Sequence, residues 1–265
     1  MKATFDAELE IQHMIKEIKK YFVNNGNKNT KAVIGISGGK DSTIAAALLC
    51  RALGSDNVIG VLMPEGNQKD IADSRRVCEL LHIHSEEINI GPAVDALYGC
   101  IGYGDCEIPA VRTNTPARIR MTTLYAVAAI YGGRVIHTGN ASEMYVGYTT
   151  KYGDLAGDFS IFRDYHVREI LAIGDALNLP YELVHKAPGD GMSGKTDAEN
   201  MGFSYETLDA YLLDDETPSY EVLRLIQERH NRNKHKFLNI PFIRCETRRH
   251  NYRHGGVFEA PFEDF

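Results

Sequence analysis

Eight consecutive residues, Gly35-Ile-Ser-Gly-Gly-Lys-Asp-Ser42, combine glycines, hydroxyls and a carboxylate, a set suited to holding a polyphosphate and its cation. Gly38 and Gly39 let the backbone approach phosphate oxygens, Ser37 and Ser42 add hydroxyl donors, and Asp41 offers a hard oxygen to Mg²⁺. The run is not a Walker A loop. That motif needs G-x-x-x-x-G-K-[ST], whereas the required first glycine falls on Ile34 and Lys40 is followed by Asp41. The flanking pattern supplies the scaffold. Ala32 to Ile36 reads as a buried strand, and from Asp41 onward Ile44, Leu48 and Leu49 recur at helical spacing. A strand, a glycine turn and a helix N-terminus make an anion site, because unpaired N–H groups and the positive helix end face what docks there. The alternative is a tight turn in which Asp41 and Ser42 merely cap the helix.

The elements around this loop alternate. Residues 6–23 place Leu9, Ile11, Met14, Ile15, Ile18 and Phe22 on a helical stripe, and a polar loop, 24–30, follows. Strands are expected at Asn57 to Met63, Ser85 to Ile90 and Arg134 to Thr138, with helices at Asp70 to Leu81 and Pro116 to Ile130. This βαβαβ order implies a doubly wound α/β fold with a parallel sheet covered on both faces, whose ligands sit beyond the carboxyl ends of the strands. Residues 91–113, broken by glycine and proline, read as irregular, and the glycine-rich, polar stretch from Gly147 to Asp158 reads as loop. A helix is expected from Tyr165 to Leu177, then a mobile lid-type loop over 186–202, then helices Tyr205 to Leu213 and Ser219 to Asn231 before a basic tail. One domain is expected over 1–265, with a nucleotide-binding core over 31–185.

Composition narrows the classes. The chain has 265 residues, 43% hydrophobic and 25% charged, with a net charge of -7. That balance suits a soluble globular protein and argues against a general nucleic-acid binder. No apolar run is long enough to cross a bilayer and the first residues lack a signal-peptide core, so a cytoplasmic chain without membrane partners is expected. Cys50, Cys78, Cys100, Cys106 and Cys245 are scattered without a C-x-x-C pair, which suggests neither a disulfide framework nor a zinc knuckle. His250 and His254 are spaced like half a zinc site, but no second pair of ligands accompanies them. Residues 190–221 hold nine acids and one base, residues 229–253 eight Lys or Arg and one acid. The basic end suits an anionic ligand or a solvated face equally well.

The loop resembles the SGGxDS loop of the ATP pyrophosphatases, enzymes that cleave ATP between the α- and β-phosphates. Further motifs narrow the resemblance. Met63-Pro-Glu-Gly-Asn-Gln68, Asn114-Thr-Pro-Ala-Arg-Ile-Arg-Met121, Thr138-Gly-Asn-Ala-Ser-Glu143, Thr149-Thr-Lys-Tyr-Gly-Asp154, the loop beginning at Lys186 and the pair His235-Lys236 are similar, in that order, to the NAD⁺ synthetases. The resemblance implies adenylation of the nicotinate carboxylate of deamido-NAD⁺ by MgATP, then attack by ammonia to give NAD⁺, AMP and diphosphate. It implies ATP contacts at Gly35, Ile36, Ser37, Gly38, Gly39, Lys40, Asp41, Ser42, Met63 and Thr138, and Mg²⁺ on Asp41 and Glu143. It puts Arg118, Lys151, Asp158, His235 and Lys236 on deamido-NAD⁺, and makes Asp41, Lys151 and Asp154 catalytic. A homodimer with a shared site is also implied. The apolar helical faces at 9–22 and 116–130 are compatible with it.

Two positions depart from the family pattern. Val167 stands where many members have a phosphate-binding Lys, which leaves Arg168 to substitute, and Gly189 stands where many have Thr or Ser. Asp190, Ser193 or Lys195 would then take over from Gly189. Since the motifs begin by residue 33, with one helix before them, free ammonia rather than glutamine is the expected nitrogen source. The rival readings are another SGGxDS enzyme, tRNA-thiolating or GMP synthetase-like, and a nucleotide-binding module without catalysis. Glu143 also suits a helix N-terminus, and Lys151 with Asp158 a surface pair.

Overall fold

The computed structural model describes residues 5–68, 71–102, 108–186 and 196–238. Five parallel strands form one sheet in the order β3-β2-β1-β4-β5: β1 (Ala32–Gly35), β2 (Val58–Leu62), β3 (His84–Glu87), β4 (Arg134–His137) and β5 (Phe159–Ser160). The order reverses between β1 and β4, so the crevice expected to take a ligand opens beyond Gly35 and His137. The expected α/β architecture is the observed one.

Alternation along β1 divides the core. Ala32, Ile34 and Ile36 pack with α1 (Ala7–Asn24), α2 (Lys40–Leu53) and α7 (Val167–Ala176), while Val33 turns to the opposite layer with α5 (Pro109–Tyr131). Helix α1 starts at Asp6, whose carboxylate accepts from the Leu9 N–H at 3.1 Å, and buries Ile11, Met14, Ile18 and Phe22. That apolar face is therefore spent inside the chain and not offered to a second subunit. The face of α5 with Met121, Leu124, Val127 and Ala128 is spent likewise. Helix α2 is buried on nearly every side, and its four alanines keep it close to its neighbours.

Several elements differ from their sequence expectation. Residues 91–100, expected irregular, form α4 (Gly91–Cys100), because Pro92 in a first turn favours a helix and Gly99 lies near its end. Helix α5 begins at Pro109 and carries Pro116 inside it, seven residues before that helix was expected to start. The TGNASE run carries a helix start, which the sequence offered only as an alternative role for Glu143. Its Asn140 caps α6 (Ala141–Val146) in a reciprocal capping box with Glu143. Strand β5 has only two residues and gives no periodic signal. The loop expected over 186–202 ends early, since Thr196 caps a short helix, α9 (Asp197–Met201), that buries Met201. The remaining helices are α3 (Ile71–Leu81), α8 (Tyr181–Val184), α10 (Tyr205–Leu212) and α11 (Tyr220–Asn233). Among the described residues no helix is long and apolar enough to cross a membrane.

Gly147 closes α6 at φ 66°, and a Cβ there would fall 2.1 Å from the Cβ of Asn233, whose amide donates to the Val146 carbonyl at 3.0 Å. Gly147→Ala therefore faces both left-handed strain and a clash with α11, costing about 1–3 kcal/mol. Thermal unfolding should show a clear fall in melting temperature; an unchanged midpoint would mean that α6 and α11 do not meet as described.

Candidate active site

The phosphate loop is braced by its own hydroxyls. Ser37 Oγ and Ser42 Oγ lie 3.1 Å apart, the Gly39 N–H donates to Ser37 Oγ at 3.2 Å, and Ser42 and Thr43 hydroxyls donate to the Gly39 carbonyl at 3.2 and 2.8 Å. Gly38 sits at φ 76° with Asp73 against it; a Cβ there would lie 2.9 Å from the Asp73 Cβ, so only glycine fits. Gly39 precedes α2 without a side-chain cap, which leaves the first-turn N–H groups for an anion. The two serines thus shape the loop, in addition to any contact they make with phosphate.

Acids from three elements converge behind it. Lys40 is buried, its ammonium 2.7 Å from Asp41 Oδ2 and 5.5 Å from the centre of the Tyr205 ring. Asp41 Oδ1 is buried with no hydrogen-bond partner. Glu143 is pushed up to about 8, first by burial and then by the charge of Asp41, with Lys40 and the Asn140 N–H opposing. Burial acts to lower the Lys40 pKa, yet Asp41, Glu143 and Asp197 together hold it above its ordinary value. The Tyr205 hydroxyl donates to Asp197 Oδ2 at 3.2 Å. Glu143 thus does two things. Its Oε2 accepts from Asn140 N at 3.1 Å as a helix cap, and its buried carboxyl faces Asp41.

A second cluster joins the loop after α6 to the end of the described chain. Arg118 Nε donates to the Lys151 carbonyl at 3.2 Å, Lys151 Nζ to the His235 carbonyl at 3.0 Å, and Lys236 Nζ to the carbonyls of Gly147 and Thr149, each at 2.7 Å. Asp154 accepts from the Thr150 N–H at 2.6 Å; desolvation raises its pKa, while Thr150 and Lys236 hold it down. Its charge reaches Glu143 and so links the two clusters. Thr138 follows β4 directly, beside the phosphate loop across the sheet's reversal.

Other expected residues are placed differently. Asp158 meets neither Lys151 nor the phosphate loop: its Oδ2 accepts from Val135 N at 2.8 Å and its Oδ1 from the Tyr125 hydroxyl at 3.2 Å. It lines a cavity of about 640 Å³ with Asn25, Tyr125 and Arg134. Arg168 pairs with Asp215 on the side of α10, and its backbone N–H is held by Asp209 at 2.9 Å. Gly189, with Asp190, Ser193, Lys195, His250 and His254, lies outside the described residues. Sequence reasoning did not pick out Tyr205, Asp197 or Arg120. Arg120 Nε donates to the Met63 carbonyl at 3.1 Å, and the charges of Glu65 and Asp154 partly offset the lowering of its pKa by burial. One signal existed: Arg118 and Arg120 stand two residues apart, about 200° around a helix, so both cannot face solvent when the helix packs on a sheet.

Comparison with known proteins agrees with this arrangement. The NAD synthase family model matches residues 10–240. The NH3-dependent NAD⁺ synthetase of Methanococcoides burtonii is 39% identical over 184 residues, 68% of this chain and 70% of that protein. NMN synthetase from Francisella tularensis superposes with a TM-score of 0.84 at 31% identity, covering 91% of this chain and 99% of that one. NH3-dependent NAD synthetase from Campylobacter jejuni gives 0.74 at 29% identity, over 90% and 100%. With an uncapped phosphate loop, the acid pair behind it and a family model spanning 10–240, the chain belongs to the NAD synthase family, as its motifs led us to expect.

Proposed function

We propose that this chain joins ammonia to the nicotinate carboxylate of deamido-NAD⁺ at the expense of ATP. The observation that carries the reading is the convergence, at the carboxyl end of the sheet, of a free helix N-terminus, the facing carboxyls of Asp41 and Glu143, and the linked Arg118, Lys151 and His235. A carboxylate is a poor electrophile. Its oxygen attacks the α-phosphorus of ATP, the bond to the β-phosphate oxygen breaks, and diphosphate leaves. Ammonia then attacks the acyl carbon, the bond to AMP breaks, and the nitrogen sheds its proton to solvent or base. The protein's task is positional and electrostatic.

The first turn of α2 holds the departing phosphates through its N–H groups. Asp154, by fixing the Thr150 turn, keeps Lys151 against the His235 carbonyl, which sets the substrate end of the site. Asp41 and Glu143 would hold Mg²⁺. They fit that ion: Asp41 Oδ1 is buried and unpartnered among the described residues, burial and then the charge of Asp41 push the Glu143 pKa up, a crowding that a cation would relieve, and two carboxylates plus nucleotide phosphates are an ordinary ligand set. When bound, the ion offsets charge gathering on the phosphates. Val23 and Ile130 stand exposed on the two helices beside the cavity of Asp158, which supports a homodimer meeting there rather than through the buried faces of α1 and α5. Light-scattering mass at assay concentration decides this; a fully active monomer removes the shared site.

The likeness to the Francisella NMN synthetase favours a second substrate reading, in which the acid is nicotinate mononucleotide and the chemistry is unchanged. Purified protein given MgATP, ammonium and each acid in turn should amidate deamido-NAD⁺ with the higher kcat/KM, yielding AMP and diphosphate. A preference for the mononucleotide transfers the assignment to that substrate, and ADP with phosphate as products removes both. Asp41→Asn keeps size and Glu143→Gln keeps the helix cap. Each should lower turnover on the order of a thousandfold; Glu143→Gln should melt close to wild type, whereas Asp41→Asn, which takes the partner carboxylate from buried Lys40, should melt lower. Near-normal rates at low Mg²⁺ in both variants would clear these carboxylates of the role.

A further inference from the structure

Arg120 is a half-buried cation without an ion-pair partner among the described residues. Its Nε is committed to the Met63 carbonyl at 3.1 Å, and among the described residues no carboxylate oxygen lies within 4.0 Å of the guanidinium. Glu65 and Asp154 act on it only from longer range. A desolvated charge is costly unless paired, and a guanidinium held by Nε still presents two parallel N–H groups, the fork that matches a carboxylate or a phosphate.

The anchor point gives the fork its direction in the chemistry. Met63 follows the carboxyl end of β2, and its methyl group would stand 3.3 Å from a Cβ on Gly35, the first residue of the phosphate loop. Asp154, in the turn that carries Lys151, is also near enough for its charge to act on the guanidinium. The guanidinium therefore sits between the nucleotide end of the site and its acid-substrate end, where the two reactants must touch. We propose that Arg120 is a further catalytic residue, its free fork holding the oxyanion that reacts: the substrate carboxylate or the phosphate of the adenylyl group. The inference rests on the ligase reading above. Held there, the fork aligns the attacking oxygen with the α-phosphorus and counters the negative charge that both bring to the encounter.

Arg120→Lys keeps the charge without the fork, and Arg120→Met removes both. The test compares kcat and KM with calorimetric affinities for MgATP, deamido-NAD⁺ and its amide NAD⁺. Both variants should lose on the order of a hundredfold in kcat/KM while remaining folded by circular dichroism. If the fork holds the carboxylate, affinity for deamido-NAD⁺ falls toward that for NAD⁺ and MgATP binding is unchanged. If it holds the adenylyl phosphate, MgATP binding weakens and the preference for acid over amide persists. Equal weakening of all three ligands, or turnover within about threefold of wild type at temperatures where the variants are folded, overturns the proposal. Wild-type protein that amidates neither acid overturns the ligase reading and this inference with it, whereas an active wild type with near-normal variants overturns the role of Arg120 alone.

Discussion

The site depends on one buried ammonium. Lys40 stands among Asp41, Glu143 and Asp197, groups brought from α2, α6 and α9, and without its charge those carboxyls would repel one another in a region that water reaches poorly. Breaking a buried pair costs far more than the pair contributes, because the remaining charge has nowhere to go. Lys40 also decides which oxygen of Asp41 is engaged, Oδ2, and so leaves Oδ1 unpartnered. In this way a residue inside the phosphate loop sets the condition of the acids behind it. It also ties α2 to Tyr205 and Asp197, the first described elements after the stretch beginning at 187.

A second polar joint holds the layers of the site in register. Asp209 of α10 accepts from the Ser142 hydroxyl of α6 and from the Arg168 N–H at the start of α7. Burial raises the Asp209 pKa, and these hydrogen bonds act against that rise. Three helices of separate sequence origin thereby meet at one carboxylate, and Glu143 lies one residue from Ser142. The geometry of Glu143 is thus fixed twice over, by its cap on Asn140 and by the joint beside it.

How much of this was legible in the chain follows from where the information lies. The strand, turn and helix around Gly35–Ser42 announce themselves locally, since glycine spacing, β-branched residues and helical periodicity all fall within twenty residues. The meeting of Arg118, Lys151 and His235 came from motif order, and the structure brings these residues together. What escaped was non-local or short. Asp197 and Tyr205 reach Lys40 across more than 150 residues, β5 is two residues long, and α6 is short, signalled only by the alternative role of Glu143 at a helix N-terminus. Pro92 and Pro109 were weighed as helix breakers although each occupies a first turn, where a missing N–H costs nothing. Asp158 was assigned to deamido-NAD⁺ by motif, and its further contacts with Val135 and Tyr125 are a set that no spacing rule encodes.

The two ends of the sheet bear on how the molecule keeps its own company. An open parallel sheet has two edges whose unpaired backbone groups can template a neighbouring chain. Here β5 is only two residues long, and β3, His84-Ser-Glu-Glu87, is short, polar and largely exposed, with His84 and Glu86 tied to the Tyr131 hydroxyl. Neither edge offers a long apolar ladder. A protein whose central strands are almost wholly apolar is thus left with borders that resist intermolecular strand pairing, which protects it from aggregation while those strands find their places.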